Sequence, residues 1–404
     1  MMDGNETKPE PFQIRVEPAV LDDLHARLAR TRWTTIRDGD GWERGTERSY
    51  LRRLVAYWGA EYDWKRHELG LNALPQFKAQ VRGARLHFVH ARGRGSAPLP
   101  LLLLHGWPDS FYRFHKVIPL FTEPARAGLA ATDSFDVVAP SLPGFAFTDA
   151  IEDITRQQPN RRSADLLWRL MTEVLGYERF VVAGGDGGGA IAQIMAIDHP
   201  ESVSGIHLTD LGWHVSKVDR ALLSRAEQKQ LEASEKAFMA DGAYVMVQTT
   251  QPQSLAAGLS DSPVGLASWI LDRFHAWTDP EVENGIDQDE LLTNIMIYWV
   301  TRTIASSMFS YYAEAQSPSL TPSDRVERPV GLALFPKDIG GIPLRSFAER
   351  TLNVVRWTEM SSGGHFAALE VPHAYVLEVS EFCRQWRAHR AESREEQAHV
   401  TRTV

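Results

Sequence analysis

The spacing of hydrophobic positions changes along the chain. Pro18 to Arg32 carries apolar residues at helical spacing, and Tyr50 to Trp64 does so with many aromatic rings, so the first 75 or so residues read as amphipathic helices. From Phe77 onward, short β-like runs alternate with helical stretches: Arg85 to Val89, Leu101 to Leu104, Phe135 to Val138, Phe180 to Ala183, Gly205 to Leu208, Val330 to Leu334 and Val354 to Thr358. That alternation predicts an α/β architecture, a mostly parallel sheet with helices on both faces. Between Trp213 and Arg325 the pattern turns almost wholly helical before strand texture resumes. A helical lid inserted after the strand Gly205 to Leu208 is the expectation, lying over the C-terminal edge of the sheet where open α/β folds bind ligands. The charged tail from Ala388 is expected to fray. The expected divisions are an N-terminal region 1–75, a core of 76–212 and 326–390, a lid 213–325 and a tail 391–404.

At 404 residues, 43% hydrophobic and 24% charged, the chain has the composition of a soluble globular protein with room for one large domain and an insertion. A net charge of −9 without a long basic run argues against nucleic acid as a partner and gives no attraction to an anionic membrane. The single Cys383 excludes an intrachain disulfide framework, which fits the reducing cytoplasm. Met1 to Pro11 lacks the apolar segment of a signal peptide, and the apolar run Ile295 to Val300 is too short to span a bilayer, so no membrane anchor is expected.

The chemistry concentrates in Phe180-Val181-Val182-Ala183-Gly184-Gly185-Asp186-Gly187-Gly188-Gly189-Ala190. An apolar strand enters this segment and an apolar-periodic helix leaves it. Gly184 and Gly188 allow the tight bend of a nucleophile elbow, which exposes the side chain between them. Here that side chain is Asp186. A carboxylate nucleophile forms an ester with the carbon it attacks, which suits an sp3 carbon bearing a strained or good leaving group. A Gly-rich strand-to-helix turn also cradles phosphates in dinucleotide folds, but there the glycines belong to the first βα unit and an Asp would repel the phosphate.

An elbow of this kind needs an oxyanion hole, an acid and a histidine, in the order nucleophile, acid, histidine. His105-Gly106-Trp107-Pro108 follows the strand Leu101 to Leu104, so the backbone N–H of Trp107 can join that of Gly187 as a second donor. Ser361-Ser362-Gly363-Gly364-His365-Phe366 follows the strand Val354 to Thr358, the place for the histidine, and Asp338 ends the preceding strand within reach of its ring. Glu370 competes for the acid's role, but its place on the helix after His365 predicts a solvated side chain.

Together these blocks resemble the microsomal-type epoxide hydrolases, α/β-hydrolases with an N-terminal epoxide hydrolase region. The similarity extends from about Pro11 to Trp386, through Pro11-Phe12, Tyr57-Trp58, Asp63-Trp64-Lys65, His105-Gly106-Trp107-Pro108, Ser141-Leu142-Pro143-Gly144, the Asp186 elbow, Asp261-Ser262-Pro263-Val264-Gly265-Leu266-Ala267 and Gly363-Gly364-His365-Phe366-Ala367-Ala368. The resemblance implies the α/β-hydrolase fold with an N-terminal meander, no cofactor and no metal, and two lid tyrosines that hydrogen-bond the epoxide oxygen. Tyr244 and Tyr311 fall on the matching positions, with Tyr312 adjacent and about 100° away on a helix. Gly187 departs from the family's usual Trp after the nucleophile: the backbone donor survives and the aromatic wall does not. Asp338 stands where the family frequently has Glu.

The implied reaction opens a small-molecule epoxide at Asp186 while Tyr244 and Tyr311 serve the leaving oxygen. Water activated by His365 then cleaves the ester to release a vicinal diol. A haloalkane dehalogenase would share fold, Asp and His, but needs a halide donor such as an indole after the nucleophile, which Gly187 cannot supply. A non-catalytic ligand-binding homologue is the other alternative, and a homodimer is left open.

Overall fold

The computed structural model describes residues 8–35, 41–149, 157–211, 220–283, 285–321, 323–339 and 341–401. Nine strands form one sheet: β1 (Glu10–Pro11), β2 (Gln76–Val81), β3 (Ala84–Ala91), β4 (Leu99–Leu104), β5 (Phe135–Pro140), β6 (Phe180–Gly184), β7 (Val203–Leu208), β8 (Val326–Leu334) and β9 (Leu352–Glu359), in the order β1-β2-β3-β5-β4-β6-β7-β8-β9. Pairing is antiparallel from β1 to β5 and parallel from β5 through β4 to β9. Every strand expected from the sequence is present. The two that were not expected are β1, a mere two residues, and β2, whose Gln76-Phe77-Lys78-Ala79-Gln80-Val81 is too polar to read as a buried run.

The N-terminal region supplies α1 (Pro18–Ala29), α2 (Arg48–Ala60) and α3 (Trp64–Asn72). The aromatic stretch expected as one helix is thus two, because the Asp63 side chain accepts the Lys65 N–H and starts a new helix. The core helices are α4 (Val117–Thr122), α5 (Pro159–Arg169) and α6 (Asp186–Asp198). Between β7 and β8 run α7 (Arg225–Asp241), α8 (Ala243–Thr250), α9 (Pro252–Asp261), α10 (Pro263–Trp277), α11 (Gln288–Thr301) and α12 (Ile304–Gln316). The expected boundary at 212/213 lies outside the described residues. After β8 come α13 (Arg345–Ala348), α14 (Ala367–Glu370) and α15 (Pro372–Thr401), which is helical through Thr401, in keeping with its Ala, Glu and Arg content; the end of the expected tail lies outside the described residues.

Glycines in β7 and β8 show how the layers close on the sheet. A Cβ at Gly205 would strike Trp386 and one at Gly331 would strike Phe382, both on α15, whereas Leu208 of β7 lies beside Gly189 of α6. Residues 205 and 208 differ in parity, so α15 and α6 cover opposite faces. The register then aligns the strand ends that matter: Leu104 pairs with Gly184, and Gly184 with Leu208. The loops after β4, β6 and β7 therefore leave the sheet side by side, at the switch point between β4 and its neighbours β5 and β6.

Candidate active site

Asp186 sits at the turn from β6 to α6 with φ +52°, a left-handed conformation that a side-chain-bearing residue adopts only under constraint. Its flanking glycines serve a different need from backbone freedom. A Cβ on Gly188 would lie 2.4 Å from the Leu104 carbonyl oxygen, and one on Gly184 would lie 2.9 Å from the Gly188 backbone, so strand and helix approach too closely for any side chain. Asp210, two residues past β7, accepts the Asp186 N–H at 2.7 Å and ties the elbow to the neighbouring strand end.

The carboxylate itself is oriented by two backbone donors. The N–H groups of Trp107 and Gly187 both reach Oδ1, at 3.0 and 2.6 Å, which leaves Oδ2 facing His365 Nε2 at 3.9 Å. His365 Nδ1 lies 2.8 Å from Asp338 Oδ1, and the loops carrying the two residues are pinned by the parallel bridge between Lys337 and Gly364. The His365 N–H donates to the Trp277 carbonyl at 2.8 Å, and the buried Arg113, paired with Asp109 at 2.7 Å, donates to the His365 carbonyl. Burial opposes a charge on the imidazole, but Asp338, through its charge and its hydrogen bond, outweighs it and Asp186 adds to it, so His365 is pushed up to about 9.

Tyr244 of α8 stacks on the Trp107 indole, with ring centroids 5.2 Å apart and planes 8° apart, and Tyr311 of α12 meets both rings edge-on at 6.2 Å. Burial and then the Asp186 charge raise Tyr311 well above the usual phenol range, which keeps it a proton donor. The neighbouring Tyr312 is 42% exposed and does not line the site. A cavity of about 200 Å³ is bounded by Trp107, Asp186, Gly187, Tyr244, Tyr311 and His365, with Leu142, Phe145 and Ile191 supplying apolar wall. A Cβ on Gly187 would meet nothing within 4 Å, so the absent side chain leaves open space above the elbow.

One acid differs from expectation and another was not anticipated. Glu370 is buried rather than solvated, because α14 turns it inward to accept the N–H groups of Asp279, Gly364 and Phe366 at 2.7, 3.0 and 2.8 Å. Burial, against those donors, lifts it to about 7. Asp210 carried no sequence signal beyond its place at a strand end. Burial and the nearby Asp338 raise it to about 6, and one of its oxygens lies within 4.8 Å of ring and carboxylate atoms of His365 and Asp338.

The arrangement can deliver one carboxylate oxygen to a carbon and then polarise the resulting ester. A sequence model of the epoxide hydrolase N terminus matches residues 9–114, and one of the alpha/beta hydrolase fold matches residues 100–282. A Stigmatella aurantiaca protein assigned as an epoxide hydrolase is 40% identical over 382 residues, covering 94% of this chain and 85% of that one. Epoxide hydrolase 1 of Oryctolagus cuniculus is 33% identical, covering 92% and 88%. Among solved structures, the epoxide hydrolase of Aspergillus niger superposes with TM-score 0.81 at 28% identity over 94% of this chain and 97% of that one. The juvenile hormone epoxide hydrolase of Bombyx mori does so with 0.85 at 26% over 95% and 96%.

Proposed function

The chain belongs to the epoxide hydrolase family and turns an epoxide and water into a diol; from that premise we propose that Asp186 is its nucleophile. Asp186 Oδ2 attacks one ring carbon, the carbon–oxygen bond breaks, and Tyr244 and Tyr311 donate to the leaving oxygen. His365, held by Asp338, then takes a proton from water as the water oxygen adds to the Asp186 carboxyl carbon; the acyl carbon–oxygen bond breaks and the diol leaves with the water's other proton. Trp107 and Gly187 bear the oxyanion.

One observation carries this reading. Both backbone donors already grip the same oxygen, Oδ1, so esterification at Oδ2 leaves the carbonyl oxygen seated where negative charge develops. A general base acting on water directly would gain nothing from such a hole. The helices α7 to α12 act in this scheme as a lid that supplies the tyrosines. The single Cys383 supports placing the enzyme in the cytoplasm, and the net charge of −9 argues against nucleic-acid partners. Among the described residues no helix is long and apolar enough to cross a membrane.

A single turnover in 18O-labelled water tests the scheme. Label is expected in the Asp186 peptide and not in the diol, because the diol's new oxygen comes from the carboxylate. Label in the first-turnover diol, with none in the peptide, would overturn the covalent route and leave Asp186 a general base.

A further inference from the structure

Arg273 of α10 is 8% exposed and lies behind Tyr244, outside the cavity wall. Its guanidinium edge is taken by carboxylates. Nη1 reaches the Asp241 carbonyl at 2.9 Å and its Oδ1 at 2.5 Å, and Nη2 reaches Asp272 Oδ2 at 2.6 Å. Its faces are taken by rings: the Tyr244 centroid lies 5.4 Å from the guanidinium carbon and that of Trp277 lies 5.2 Å from it. Trp277 is held in turn, its indole N–H donating to Asp241 Oδ2 at 2.8 Å. Tyr244 is therefore enclosed between a cation on one side and the Trp107 indole on the other, while Tyr311 of α12 meets its edge.

A buried arginine could be no more than a staple between α7 and α10. What distinguishes this one is that its face, rather than the edge its carboxylate partners occupy, lies over a phenol reaching the cavity, and a cation so placed acts differently on the two forms of the ring. A cation over an aromatic face is attracted by the ring's electrons, and more strongly when the ring has become a phenolate. The net effect is greatest in a site with little water.

We propose that Arg273 is a positioning residue for ring opening: it holds the Tyr244 phenol against Trp107 and favours transfer of the phenolic proton to the epoxide oxygen. The inference rests on the reading of Tyr244 as a donor. As the Asp186 Oδ2–carbon bond forms, the carbon–oxygen electron pair moves to the epoxide oxygen, that oxygen takes the Tyr244 proton, and the tyrosinate is left facing Arg273. In ester hydrolysis the acyl carbon–oxygen bond breaks, one proton of the water passes to the departing diol oxygen, and the other, taken up by His365, restores the phenol, so the cycle closes without another reactant.

Arg273→Met removes the charge and keeps the stem. Arg273→Gln keeps donors for Asp241 and serves if the Met variant fails to fold, and Arg273→Lys restores a cation. Quenched single turnovers followed by intact mass separate ester formation from ester decay. The neutral variants should form the ester about tenfold more slowly, with decay within about twofold of wild type, and Lys should recover most of the loss. In a Tyr244→Phe background the Met substitution should add less than about a twofold effect, since its target is gone. Equal slowing of both steps, a Lys variant as slow as Met, or a full additional loss in the Tyr244→Phe background would make Arg273 structural only. If Tyr244→Phe itself alkylates at the wild-type rate, the donor reading fails. If Tyr244→Phe is slow and the Arg273 variants are not, this inference alone fails.

Discussion

The proposed scheme requires His365 to be free to accept a proton once the ester has formed. Before ring opening it lies among carboxylates, with Asp338 at 2.8 Å and Asp186 at 3.9 Å, and is pushed up to about 9. Esterification makes Asp186 neutral and removes one of the charges that raise the imidazole, so its affinity for protons falls at the step where a base is needed. Asp338, the larger contributor, remains. The rate of ester decay should therefore rise with pH and level off at a pH below about 9. Asp338→Asn removes the remaining charge, so the imidazole titrates at lower pH but is a weaker base. Decay should slow on the order of a hundredfold while ester formation is spared. Stopped-flow traces of both phases between pH 6 and 9.5, roughly the span of the shifted histidine, measure this directly. A decay limb unmoved in Asp338→Asn would remove Asp338 from the relay.

At the scale of elements, legibility followed burial. The runs Leu101 to Leu104 and Phe180 to Ala183 read as strands because their side chains are enclosed on both faces by α-helices. β2, next to the two-residue edge strand β1, is only partly buried at Phe77, Lys78 and Gln80, and it escaped detection. The elbow, the two donor residues, the histidine and its Asp were visible because strand-to-loop texture fixes their places. Asp210, Glu370 and Arg273 were not, since what gives each a role is contact with residues 24, 91 and 29 positions away in sequence. The glycines of the elbow show the same limit: the run Gly184 to Gly189 looks uniform, and its members are not equivalent. Gly188→Ala would place a Cβ 2.4 Å from the Leu104 carbonyl, a rigid obstacle where α6 approaches the end of β4, whereas Gly187→Ala meets open space. The first should cost about 1–3 kcal/mol and displace the nucleophile. The second should leave stability within about 0.5 kcal/mol. Urea melts monitored by tryptophan fluorescence decide it, with a lowered midpoint at constant slope expected for Gly188→Ala alone. Equal melts for the two variants would mean the approach of α6 to β4 can relax.

For the whole molecule, histidines couple folding to pH in two opposed directions. His87, His90 and His207 lie inside or beside the sheet, where burial chiefly lowers them to about 3, 4 and 4. Their folded values lie below the unfolded one, so the stability they contribute is complete above about 6.5 and is lost as pH falls. His365 has the opposite sign. Its folded value of about 9 lies above the unfolded one, so its contribution is complete below about 6.5 and fades as pH rises through 9. The site thus draws on the stability of the sheet beneath it only at the alkaline end. His365→Gln should remove that alkaline loss while leaving the acid side unchanged. The difference in unfolding free energy between wild type and variant should narrow by on the order of 1–3 kcal/mol between pH 6.5 and 9.5. Paired denaturant melts across that range cancel the other titrating groups, which the two proteins share. A difference constant with pH would show that the Asp338–His365 pair carries no proton-linked stability, and a difference that widens would show that His365 is held neutral in the folded enzyme.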